Sequence, residues 1–106
     1  MAKYLLRVSY TAEGLKGLMK DKGTGRLAAV KQTVSSAGGK LEALYWALGE
    51  DDAIAIVDVP DVESAAALGM AVSASGLVRT KTTRLLTAEE VDTIVGKAVN
   101  YRPPGR

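Results

Sequence analysis

Gly38-Gly39-Lys40-Leu41-Glu42-Ala43-Leu44-Tyr45-Trp46-Ala47-Leu48, then Gly49-Glu50-Asp51-Asp52, then Ala53-Ile54-Ala55-Ile56-Val57-Asp58-Val59-Pro60-Asp61, is the stretch that decides the fold. Two runs of strand length, Leu41–Leu48 and Ala53–Val59, flank a short turn of glycine and acids, which predicts a β-hairpin. Gly38-Gly39 closes the element before the hairpin, because glycine readily takes the left-handed conformation that ends a helix. Pro60-Asp61 opens the element after it, with Asp61 placed to accept from the free N–H groups of a first helical turn. The hairpin therefore sits between two helices.

Working outward, Leu27, Val30 and Val34 form a stripe at helical spacing, which predicts a helix from Arg26 to Ala37. Before it, Thr11 caps a short glycine-weakened helical turn to Met19, and Lys20–Gly25 reads as a polar connection. Lys3–Tyr10 is the first strand. Beyond the hairpin, the second helix runs to Ala74, and its run of small residues (Ala65, Ala66, Ala67, Gly69) predicts close burial on a sheet. Ser75-Gly76 ends it, and Val78–Leu86 is a fourth strand rich in threonine. Thr87-Ala88-Glu89-Glu90 has the spacing of a capping box, so a third helix is expected to Val99. Two adjacent prolines keep the segment 101–106 an extended tail, which leaves residues 1–100 as one domain. The order β-α-β-β-α-β, with a helix after the last strand, predicts an α+β, ferredoxin-like fold with an antiparallel sheet, both main helices on one face, and strands one and three central.

The counts narrow the chemistry. The chain has 106 residues, 47% of them hydrophobic and 25% charged, the profile of a globular domain. Cys and His are both absent, which excludes a thiol nucleophile, a disulfide framework, a Cys/His zinc site and a histidine base. A net charge of +2 is too weak for a nucleic-acid partner, and the aromatic interleaving of a nucleic-acid platform is missing. No apolar run approaches the roughly 20 residues of a membrane span, and the start does not read as a signal peptide, so a cytoplasmic protein without a membrane partner is expected.

Helices on one side leave the other side of the sheet bare. On the first strand, Tyr4, Leu6, Val8 and Tyr10 are expected under the helices, with Lys3, Leu5, Arg7 and Ser9 on the bare side. On the third strand, Ile54 and Ile56 are expected under the helices and Ala53, Ala55 and Val57 outside. Leu41, Ala43 and Tyr45 join the bare side. An uncovered surface of this kind marks an interaction face, and a second copy of the chain is its simplest cover, in a homodimer or a larger assembly of dimers. The alternative is a monomer with the terminal helix or tail folded across that face.

Lys3-Tyr4-Leu5-Leu6, Ser9-Tyr10-Thr11, Gly38-Gly39-Lys40-Leu41-Glu42, Val78-Arg79-Thr80-Lys81-Thr82-Thr83 and Tyr101-Arg102-Pro103-Pro104-Gly105 together resemble the GYD domain family over nearly the whole chain. The resemblance implies a ferredoxin-like, dimeric α+β barrel. Where the family has its eponymous Gly-Tyr-Asp, this chain has Gly49-Glu50-Asp51, without the tyrosine. The resemblance carries no settled activity and names no cofactor.

Three residues stand out as candidate ligand-binding positions: Tyr4, Arg7 and Trp46. Arg7 lies mid-strand on the bare side and needs a carboxylate partner or an anionic ligand, since an unpaired buried charge is costly. Trp46 faces the helices, beside Leu44 and Leu48, either as core packing or as the wall of a cavity. Tyr4 is preferred over Tyr10 as a hydroxyl for that cavity. The acidic hairpin is expected to be a solvated turn, and Gly23-Thr24-Gly25 a glycine loop rather than a phosphate cradle. Two functions fit these residues. One is a non-catalytic oligomeric binding or assembly module. The other is an enzyme, cofactor-independent or borrowing a cofactor, that acts on a small organic molecule between helices and sheet, with Arg7 offsetting developing negative charge.

Overall fold

The computed structural model describes residues 1–106. In chain order it contains β1 (Ala2–Tyr10), α1 (Ala12–Ser36), β2 (Lys40–Trp46), β3 (Ala53–Val59), α2 (Val62–Ala74), β4 (Val78–Leu85) and α3 (Ala88–Val95). The strands form one antiparallel sheet in the order β2-β3-β1-β4, so β1 and β3 are central and the arrangement is ferredoxin-like, as the sequence predicts. Helix α1 packs on β1 and β2, and α2 on β3 and β4, both on the same face. No helix is long and apolar enough to cross a membrane.

The caps agree with the sequence. Thr11 accepts from the Gly14 N–H, Asp61 from the Ser64 N–H, and Thr87 and Glu90 complete a reciprocal capping box. Hydrogen bonds from the Ser64 side chain and backbone hold the Asp61 carboxyl below its ordinary range. Two boundaries differ. The expected break across Lys20–Gly25 shrinks to a kink at Lys22 (φ 64°, ψ 172°), and α1 is otherwise continuous. A glycine costs a helix only about 1 kcal/mol, and burial of the Val30–Val34 face outweighs it. Helix α3 stops at Val95 rather than Val99, with Gly96 as its C-cap and no buried residue along it.

The register corrects the face assignment of β3. Tyr4 pairs with Val57 and Leu6 with Ala55, whereas Leu5 pairs with Ile56 and Arg7 with Ile54. Ala53, Ala55, Val57 and Val59 therefore lie under the helices, all buried, and the isoleucines lie on the bare side. Small side chains let the helix layer come close, so size rather than hydrophobicity sorted this strand. In β2 a bulge at Glu42 separates Leu41, opposite Val57, from Ala43, opposite Ile56. Leu41 thus packs on the core, against expectation, while Ala43 and Tyr45 face outward. The strand ends at Trp46, and Leu48 is fully exposed instead of joining the core. Helix α2 buries Ala65 and Leu68 but leaves Ala66, Ala67 and Met70 in solvent, so its burial is partial.

The helix side of the sheet has two unlike ends. At one, Tyr4, Val34, Val57, Val59, Ala65 and Leu68 form the filled core. At the other, β3 offers only Ala53 and Ala55 and α2 offers Gly69, and the volume is not filled.

Candidate ligand-binding site

The unfilled end is a cavity of about 100 Å³ between α1, α2 and the sheet. Alternation along β1 sends Leu6, Val8 and Tyr10 into it, and helical spacing along α1 sends in Arg26, Val30 and Thr33. Its lining is apolar except for Thr33, Thr80 and one charged residue, Arg26. A second, more open compartment of about 290 Å³ adjoins it, bounded by Gly14, Gly17, Asp21 and Ser75. Tyr10, Arg26, Val72 and Val78 line both, so they mark the junction.

The polar groups at the junction are specific. Trp46 Nε1 donates to Tyr10 Oη at 3.1 Å, tying the end of β2 to the end of β1. The Trp46 residue is 38% exposed, which makes it a wall of the cavity and not buried core. The kink in α1 brings Gly23 against its ring, where even a methyl group would sit 3.7 Å away. Across the same kink, Arg26 Nη1 stands 3.8 Å from Asp21 Oδ2, an ion pair beyond hydrogen-bond reach. The Thr33 hydroxyl is spent on the Ala29 carbonyl.

The structure does not bring the three sequence-predicted residues together. Only Trp46 lines the cavity. Tyr4 lies in the filled core, 5% exposed, with Arg84 stacked 5.6 Å over its ring. Arg7 lies on the opposite face of the sheet, where its Nε donates to Asp51 Oδ2 at 2.7 Å. That hydrogen bond, reinforced by the charge of Asp51, raises the Arg7 guanidinium further above its already high ordinary value. The carboxylate that Arg7 requires thus comes from the hairpin of its own chain. Asp51 is buried and Asp52 accepts from the Tyr10 N–H at 2.8 Å, so the acidic turn clamps the end of β1 instead of resting in solvent. Arg26 was legible only as a periodicity: Arg26, Val30 and Thr33 have an i, i+4, i+7 spacing on one helical face.

On the bare face, Leu5, Ile54, Ile56 and Ala43 are half-exposed and contiguous. Ion pairs bracket them. Lys3 Nζ meets Glu42 at 2.7 Å and Asp58 at 3.0 Å, and these bonds raise its ammonium above the ordinary lysine value. Arg7–Asp51 closes the other end.

Compared with known proteins, residues 4–95 match the sequence profile of the GYD domain. No curated protein gives a significant match.

Proposed function

The chain belongs to the GYD domain family, and from that premise we propose that it is a binding and assembly module that pairs with a second copy of itself across the bare sheet face, each copy keeping its helix-side cavity for a small organic molecule. The observation that carries the reading is the half-exposed apolar stripe of Leu5, Ile54 and Ile56 in the middle of that face. Four strands about seven residues long span roughly 450 Å² in plan before side-chain relief is added. That is the right order for the ~800 Å² per partner of a stable dimer. An apolar centre with charges around it also has the anatomy of an interface.

The charges favour an identical partner. Lys3 is already neutralised by Glu42 and Asp58, and Arg7 by Asp51, within one chain. Two such faces meet without stranding these charges, and the unpaired Arg79 and Lys81 of the same face stand on the edge strand β4, at the rim and away from the apolar stripe. Ile56→Lys places a charge at the centre of the stripe and should reduce self-association at least tenfold in sedimentation velocity. Val62→Lys, exposed on α2, should leave it unchanged. An Ile56→Lys protein that associates as the parent does refutes the pairing.

A second reading, catalysis on a small molecule in the cavity, is favoured by the convergence of Tyr10, Trp46 and Arg26 at its junction. Turnover of a bound compound, lost in Tyr10→Phe, would support it over simple binding.

A further inference from the structure

The junction of the two compartments presents donors to the inner cavity and a carboxylate, Asp21, only on its outer side. Tyr10 Oη accepts from Trp46, and its own O–H has no acceptor in the protein. Arg26, with its guanidinium donors, makes no hydrogen bond to Asp21 at 3.8 Å. Elsewhere the chain's close ion pairs are hydrogen-bonded: Lys3 with Glu42 and Asp58, Arg7 with Asp51, Arg84 with Glu90. The Asp21 carboxylate bounds only the outer compartment, so the unspent groups that also line the inner cavity are donors, one of them cationic. No carboxylate lines the inner cavity. Resting on the reading that the cavity takes a small molecule, we infer that its ligand is a small monocarboxylate with a compact apolar body. The carboxylate sits at the junction, accepting from Arg26 and Tyr10, and the body lies against Leu6, Val8 and Ala55.

Size limits the body. At about 100 Å³ the inner cavity is smaller than the roughly 150 Å³ apolar cavity known to take benzene. A branched aliphatic group fits, and a long acyl chain does not. Charge sets the head. A guanidinium beside an apolar wall, partly shielded from water, binds a carboxylate through charge-assisted hydrogen bonds that a neutral amide cannot match.

The chain's single tryptophan is Trp46, so its emission reports this site alone. Isovalerate and isovaleramide, which have the same body and do not absorb where tryptophan is excited, are titrated against the full chain. The acid should shift Trp46 emission saturably, with the amide at least about tenfold weaker. Arg26→Gln should abolish that preference by weakening the acid and sparing the amide, and Arg26→Lys should restore part of it. Equal binding of acid and amide to the parent, or an unchanged ratio in Arg26→Gln, overturns the carboxylate assignment and leaves the cavity as a site for neutral molecules. Binding of neither compound overturns the cavity reading as well. If Arg26→Gln does not fold by circular dichroism, the acid-to-amide ratio in the parent decides alone.

Discussion

Gly14 and Gly17, one turn apart on α1, should respond to alanine with opposite signs. A Cβ on Gly14 would lie 1.8 Å from the Leu77 carbonyl oxygen and 2.8 Å from its carbon, both backbone atoms. Ordinary contact begins near 3.4 Å, so the strand lead-in must retreat by more than 1 Å, roughly, or the helix must lift. That same oxygen accepts from the Thr11 N–H at 3.0 Å and from the Thr11 hydroxyl at 3.1 Å. Losing those two bonds costs about 1 kcal/mol each, and overpacking adds about 1–3 kcal/mol. Against this, alanine returns at most about 1 kcal/mol of helix propensity. Gly14→Ala should therefore destabilise the protein by about 2–4 kcal/mol. Around Gly17 no atom lies within 4 Å of the added methyl, so Gly17→Ala should stabilise by about 0.5–1 kcal/mol. Urea unfolding monitored by circular dichroism, at one fixed protomer concentration, measures both. A Gly14→Ala midpoint equal to or above the parent's refutes the close approach of α1 to Leu77.

The kink and α3 carry further expectations. Lys22 holds a backbone conformation that side chains other than glycine rarely adopt, so Lys22→Gly should raise the urea midpoint through relief of about 1 kcal/mol or more of strain; a lowered midpoint would show that the kink is not strained. The Glu90 carboxyl is pulled down to about 2, first by its hydrogen bond from Arg84 and then by the Thr87 N–H. Its folded value lies below the unfolded one, so its contribution to anchoring α3 is complete above about pH 4.5 and fades as pH falls from there through 2. Carboxyl-detected NMR should give a Glu90 midpoint near 2, and an ordinary midpoint would contradict the Arg84 contact. Thr87→Ala should cost α3 about 1 kcal/mol of helix stability, seen as faster amide exchange in Ala88–Val95, while the sheet's slowest amides hold because α3 buries no residue.

Most of the fold was legible because local signals agreed with one another. Gly38-Gly39, Pro60-Asp61 and Thr87–Glu90 punctuate the chain, and the elements they bound have the expected types and order. The faces of β3 were not legible. Ala53-Ile54-Ala55-Ile56-Val57 alternates, but both sets are apolar, and a ranking by hydrophobicity selects the isoleucines for the core. Only the helix–sheet distance, a tertiary quantity, makes alanine and valine the buried set. The consequence bears on the proposed pairing, since the isoleucines make the bare face more apolar than hydrophobicity ranking alone predicts. The cavity was half legible. Alternation puts Trp46 on the helix side, where it lies, but Tyr4 is preferred there over Tyr10, whose partnership with Trp46 depends on a pairing of strand ends that no local pattern encodes. For Arg7 the sequence leaves a carboxylate partner and an anionic ligand both open; the structure gives it Asp51, which sequence distance hides, 44 residues away.

Sedimentation equilibrium of the unmodified chain, from low micromolar to hundreds of micromolar, weighs the uncovered sheet directly. Paired faces predict a mass converging on twice the 11.1 kDa protomer with no larger species required. A mass that stays at 11.1 kDa over the whole range, with Leu5, Ile54 and Ile56 in water, would contradict self-pairing outright.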